Sequence, residues 1–125
     1  GCGDGKITAK ISERVRKGVV VGVDISPKMI AFASTHFKAS KYHNLLFMQG
    51  DALQLPFKEQ FDLVISSCTL HWVLDQKKAL ENIKESLIYG GKALLVLPAA
   101  SPNNISTQCE QLVRSKKWVP YFSSF

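Results

Sequence analysis

After a glycine-rich opening, GCGDG, the apolar residues Ile7, Ile11 and Val15 recur every fourth position, the spacing of a one-sided helix ending before Gly18. Val19-Val20-Val21-Gly22-Val23 follows. This β-branched run is too short for a helix and apolar at both parities, which predicts a strand buried on both faces with Asp24 at its carboxyl end. Ser26-Pro27 supplies an N-cap and a proline at the first helical position, opening a helix through Met29, Ile30, Ala33 and Phe37. A polar stretch from Lys38 to Asn44 leads into a second strand, Leu45-Leu46-Phe47-Met48, closed by Gly50-Asp51-Ala52, and Pro56 marks the loop beyond. Phe61 to Ser66 reads as a third strand. Asp75 begins a helix with Leu80, Ile83 and Leu87 inward and Gly90-Gly91 stopping it. Ala93 to Leu97 is a fourth strand, ended by Pro98; from about Asn104, the residues Ile105, Cys109, Leu112 and Val113 predict a last helix running toward Trp118.

Strands that alternate with helices and are buried on both faces predict an α/β fold with a parallel sheet and right-handed crossovers. In such sheets ligands bind at the carboxyl ends of the strands. GCGDG, Asp24, Asp51 and Ser67 all fall there.

Composition narrows the class. At 125 residues, 46% apolar and 21% charged, the chain is on the scale of one domain, spanning 1 to 125, with enough apolar surface for a core. No apolar run approaches the ~20 residues of a bilayer span and no secretory signal opens the chain, so an integral membrane protein is not expected. The three cysteines, Cys2, Cys68 and Cys109, are spaced by 66 and 41 residues and match no zinc pattern, which predicts free thiols in a reducing cytoplasm and no metal site. The net charge of +6 raises the question of nucleic acid, but the 16 Lys and Arg are scattered, with no stretch denser than Arg14, Arg16 and Lys17 or Ser115-Lys116-Lys117. A solvated basic surface is the expected reading, and a nucleic-acid partner is not expected.

A glycine-rich loop opening a helix lets backbone approach a ligand closely, and taken alone it is equally a tight turn. Asp24 adds chemistry: it stands 19 residues after Gly5 at a strand end, where a carboxylate can accept both hydroxyl protons of a ribose, or cap the next helix. A dinucleotide site would have its third glycine as GxGxxG, and Lys6 stands at that position. Asp51 adds an acceptor suited to an adenine amine, beside which the Ala52 or Leu53 N–H can meet a ring nitrogen. The pair reads adenosine.

These residues, in the series GCGDG, VGVDIS, GDA, FDLV, LHWV and GGKALLV, resemble the class I S-adenosylmethionine-dependent methyltransferases, in particular their small-molecule (type 11/12-like) branch. The resemblance covers nearly the whole chain in order and spacing. It implies a Rossmann-like, doubly wound, mostly parallel sheet, with S-adenosylmethionine as cofactor and S-adenosylhomocysteine as product. It implies further that Gly1, Cys2 and Gly3 hold the methionine part, Asp24 the ribose, and Asp51 with Ala52 and Leu53 the adenine. Ile25 and Met29 would line the adenine face and Ser67 the methionine end. The family builds its glycine loop onto a central first strand and closes its sheet with two further strands. Those strands are expected to be missing from residues 1 to 125, leaving a gap between two halves of the sheet.

Methyl transfer is an in-line displacement, so the protein mainly aligns the nucleophile and excludes water; a carboxylate acceptor needs no base, whereas a hydroxyl or protonated amine benefits from one. By the resemblance, His71 and Trp72 face the transferred methyl, His71 as the candidate catalytic or orienting group and Trp72 as pocket wall. Cys68, with no basic partner in view, is expected to be inert packing, and His36 and His43 to lie on the surface. Trp118, Tyr121, Phe122 and Phe125 form an aromatic cluster, either packing against further strands or walling an acceptor pocket. The expected activity is methyl transfer to a small molecule, including a carboxylate-bearing one. The alternatives are a cofactor-binding module without turnover, and RNA or protein methylation suggested by the basic balance alone.

Overall fold

The computed structural model describes residues 1–15, 17–99, 101 and 105–122. Arg16 of the first basic cluster, Asn104 at the expected start of the last helix, and Phe125 of the aromatic cluster lie outside them. The elements run α1 (Lys6–Arg14), β1 (Val20–Asp24), α2 (Pro27–His36), β2 (Leu45–Gln49), β3 (Phe61–Ser67), α3 (Gln76–Ser86), β4 (Leu87–Val96), α4 (Ile105–Val113) and α5 (Val119–Phe122). Single 3₁₀ turns cover Ala52–Gln54 and Leu70–Trp72. The α/β class is as expected, and both ladders are parallel.

The strands form two separate two-stranded sheets, β1 with β2 and β3 with β4. Among the described residues no ladder joins β1 to β3, the two edges between which the gap is expected. β1 and β2 pair without a break from Val20↔Leu45 to Asp24↔Gln49. β3 and β4 pair at Phe61↔Leu87, then jump to Leu63↔Lys92 and continue evenly to Ser67↔Val96. Five positions on β4 therefore oppose two on β3, and the slack is taken up around Gly90, whose φ is 79°. Gly90-Gly91 thus lies inside a strand excursion, and α3 stops earlier, at Ser86, where the chain turns extended at Leu87.

Local signals open α2 and α3. The Ser26 hydroxyl accepts the Met29 N–H (3.4 Å) with Pro27 at the first helical position, and Asp75 accepts the Lys78 N–H (2.9 Å) at the start of α3. The carboxyl end of α1 is closed from a distance: the Asn44 amide lies within reach of the carbonyls of Ser12 (3.1 Å), Val15 (2.7 Å) and Gly18 (3.2 Å).

Packing departs from the sequence reading in three places. In α1 the buried residues are Thr8, Ala9 and Ser12, while Ile7 is 63% exposed. The reason is close approach: a Cβ on Gly5 would fall 2.7 Å from Phe47 Cζ and 2.8 Å from Ala33 Cβ, so only small side chains fit beneath this helix. In α3 the buried stripe is Ala79, Asn82, Ile83 and Ser86, and Leu80 faces outward. Finally, among the described residues the β3–β4 sheet has a packed core against one face alone. Val64 and Leu95 pack against the core of Leu70, Ala79 and Ile83, while Leu63, Ile65, Leu94 and Val96 stand exposed on the opposite face. The last helical segment divides into α4 and α5, with Trp118 and Tyr121 rings 6.0 Å apart between and within them.

Candidate functional site

β1 ends in Asp24, β2 runs out into Gly50 and Asp51, and β3 ends at Ser67. The opening loop ties the first and the last of these ends together. The Cys2 N–H donates to the Val23 carbonyl (2.8 Å), and the Gly1 carbonyl lies 3.4 Å from the Thr69 hydroxyl, which also stands 3.1 Å from the Ser67 carbonyl. Gly1 and Cys2 therefore span from the end of β1 to the segment leaving β3.

Asp24 holds the loop. Its Oδ2 accepts the Gly3 N–H (2.7 Å) and its Oδ1 accepts the Ser26 N–H (3.0 Å). Since Ser26 itself caps α2, Asp24 is not the helix cap. Each carboxylate oxygen keeps a further lone pair for a ligand hydroxyl. Gly3 has φ 53°, a left-handed conformation that suits glycine, with nothing within 4 Å of where a Cβ would stand. The backbone here is thus open to a close-fitting ligand. Cys2 is half-buried beside Gly22; burial raises its thiol pKa, and the neighbouring Asp24 carboxylate raises it further.

The Asp51 carboxylate accepts the Leu53 N–H (2.9 Å), and the Asp51 carbonyl accepts the Gln54 N–H (3.0 Å). The Leu53 N–H is therefore spent inside the turn, a correction to its expected offer to a ring nitrogen. Ala52 and Leu53 side chains pack on the core of Leu70, Ala79 and Ile83. Ile25, next to Asp24, and Met29, in the first turn of α2, expose apolar side chains, and the Ile25 carbonyl accepts from Gln49 Nε2 (3.3 Å).

Past β3, Cys68 takes φ 53° and is exposed, its N–H donating to the Val96 carbonyl (2.8 Å). The expectation of a packed thiol is overturned, because the chain must turn sharply off β3 here and leaves that side chain in solvent. His71 is half-buried, its Nδ1 buried with no hydrogen-bond partner among the described residues, and its ring lies 4.9 Å from the Trp72 ring. Trp72 is 81% exposed. His36 and His43 are at the surface.

Sequence reasoning passed over Thr69, which stands between the loop and β3, and Asn82, whose amide donates to the Ala52 carbonyl (2.9 Å). A long polar side chain one position before Ile83, on the inward side of α3, was the signal for Asn82. Among the described residues no group of His, Cys, Asp and Glu side chains is placed to hold a metal ion, and no helix is long and apolar enough to cross a membrane.

Comparison with known proteins supplies the lineage of this arrangement. The family model described as a methyltransferase domain matches residues 1–95. Juvenile hormone acid O-methyltransferase of Bombyx mori is 35% identical over 94% of this chain and 42% of its own length. Trans-aconitate 2-methyltransferase of Deinococcus radiodurans is 36% identical over 79% of the chain and 36% of its own. The crystal structure of an S-adenosylmethionine-dependent methyltransferase from Mesorhizobium loti superposes with a TM-score of 0.66 at 27% identity, covering 76% of this chain and 43% of that one. The chain thus spans less than half the length of these relatives. Over that span, the glycine loop held by a strand-end aspartate, the second aspartate after the next strand and the parallel α/β architecture coincide with the match, and the chain belongs to the class I S-adenosylmethionine-dependent methyltransferases of the small-molecule type.

Proposed function

We propose that the chain binds S-adenosylmethionine across the carboxyl ends of β1 and β2 and that the protein transfers its methyl group to the carboxylate of a small molecule. The observation that carries this reading is the Asp24 clamp on Gly3 (2.7 Å), which fixes an open left-handed backbone beside a carboxylate with lone pairs to spare. The residues present fit the cofactor. Asp24 would accept the ribose hydroxyls, Asp51 the adenine amine, the Ala52 N–H would donate to the purine ring, and Ile25 and Met29 would cover its faces. Gly1 to Gly3, with Ser67, would receive the methionine end.

The bound cofactor supplies an electrophilic methyl on a sulfonium. What the chain contributes is alignment and exclusion of water. A carboxylate acceptor is already ionised at neutral pH and calls for no base, which accords with the acid substrates named for the two insect and bacterial relatives. His71, half-buried beside Trp72, would orient that acceptor, its edge against Trp72 forming one wall.

Calorimetry on the intact protein tests the first half: S-adenosylhomocysteine should bind and NAD should not, and tighter binding of NAD would sink the assignment. The second half is read by incubating with methyl-labelled cofactor and a panel of small carboxylic acids. A product whose label is released as methanol by mild base is a methyl ester, whereas base-stable label would point to nitrogen or carbon acceptors. Cofactor bound with no labelled product would assign binding without turnover.

A further inference from the structure

α3 does more than cover the β3–β4 sheet. Asn82 lies on its buried stripe, 7% exposed, and donates from Nδ2 to the Ala52 carbonyl at 2.9 Å, thirty positions away. That carbonyl and the Leu53 N–H belong to one peptide unit, and the Leu53 N–H donates to Asp51 Oδ1 at 2.9 Å. A single peptide plane is thus gripped at both ends, by the Asn82 amide on one side and the Asp51 carboxylate on the other. The side chains of the same turn, Ala52 and Leu53, rest on Ala79 and Ile83 of the same helix. The turn hangs from β2 in one sheet, yet its orientation is set by a helix packed on the other.

We propose that Asn82 is a positioning residue for purine recognition, holding the Asp51 carboxylate at the angle that accepts the purine amine. The inference rests on the reading of Asp51 given above. The chemistry is cooperative: donation to the Ala52 carbonyl polarises the peptide and strengthens the Leu53 N–H as a donor to Asp51. Without Asn82 a half-buried carbonyl loses its partner within the fold, the peptide plane is free to rotate, and Asp51 loses its fixed anchor. Ser86, the neighbouring buried polar residue, has no such reach, since its hydroxyl donates to the Ile83 carbonyl of its own helix (2.7 Å).

The test is a ratio measured by calorimetry on the intact protein: the affinity for S-adenosylhomocysteine over that for S-inosylhomocysteine, which replaces the purine amine with a carbonyl and puts a proton on the adjacent ring nitrogen, so that the ratio reads the whole edge held by Asp51 and the Ala52 N–H. The fraction of folded protein cancels from this ratio. Asn82→Ala should lower it about tenfold, mainly by weakening the adenosyl ligand. Asn82→Asp, of the same shape without the donor, should do likewise. Asp51→Asn should lower the ratio on its own, and adding Asn82→Ala to it should lower the ratio no further, because both act on one contact. A ratio unchanged in Asn82→Ala, whether or not both affinities fall, would overturn the proposal. If instead the unaltered protein fails to prefer the adenosyl ligand, the reading of Asp51 itself is at fault and the role of Asn82 falls with it.

Discussion

The Gly3 N–H and the Asp24 carboxylate meet at 2.7 Å across 21 positions of sequence, so one hydrogen bond sets the glycine loop against the strand-end acid that is proposed to take the ribose. Replacing Asp24 would remove the loop's anchor and the proposed ribose acceptor at once. Asp24→Ala should weaken S-adenosylhomocysteine binding by ~1.5–3 kcal/mol, the range for charge-assisted hydrogen bonds, with far-ultraviolet circular dichroism retained. Asp24→Asn should fall close to it, since one of its two terminal atoms becomes a donor facing a backbone N–H. An affinity unchanged in both variants would remove Asp24 from the site.

Cys2 reports on the same carboxylate. Burial and the Asp24 charge both raise its thiol pKa, so less thiolate is present at a given pH than at an ordinary cysteine, and alkylation should be slow. With Cys68 and Cys109 replaced by serine, labelling of Cys2 by iodoacetamide near pH 8 should lag behind that of a free thiol and accelerate as pH rises. Asp24→Asn should speed it by removing the repulsive charge. Equal rates with and without the Asp24 charge would show that burial alone governs this thiol.

His71 and Trp72 separate by kinetics. If His71 orients a carboxylate acceptor, His71→Ala should raise the acceptor KM about tenfold while leaving kcat and S-adenosylhomocysteine affinity nearly intact. A fall confined to kcat would make His71 a base and argue for a hydroxyl or amine acceptor. Trp72→Ala should act on acceptor KM alone.

Gly5 has φ 81° and its missing Cβ would collide with Phe47 and Ala33. Gly5→Ala should therefore cost ~1–3 kcal/mol through backbone strain and overpacking together, seen as a lower Tm. A melting temperature unaltered by the change would mean that α1 does not press on β2 as closely as described.

Residues 1–125 expressed alone should associate. Leu63, Ile65, Leu94 and Val96 form an exposed apolar face, and among the described residues no ladder joins β1 to β3. Light scattering should show oligomers, and Leu94→Lys should reduce them with helix and strand content unchanged. A chain that is monomeric and melts cooperatively without such a change would show that these surfaces are satisfied in solution.

Much of this was legible because its causes are local. Ser26-Pro27 and Asp75 open helices through contacts within a single turn, and the β-branched run at Val20 could hardly form anything but a strand. The positions of Asp24 and Asp51 followed in turn, since parallel strands deliver their ends to one side. What stayed hidden depends on distance in sequence. Ile7 and Ile11 carry a helical stripe as well as any residues do, yet Gly5 brings α1 so near Ala33 and Phe47 that small residues win the inward face. Gly90-Gly91 looks like a helix stop until β4 is seen to pair with β3 on both sides of it. The bonds of Gly3 to Asp24 and of Asn82 to Ala52 join segments whose neighbourhood no window of the sequence reveals.

The uneven pairing of β3 with β4 has a bearing on how this fold tolerates insertions and deletions. The mismatch is confined between Phe61↔Leu87 and Leu63↔Lys92, after which the ladder runs true to Ser67↔Val96. Residues gained or lost near Gly90 would be absorbed in that excursion, at the end of the sheet remote from Ser67 and Thr69, and the junction between the opening loop and the end of β3 would be left as it is.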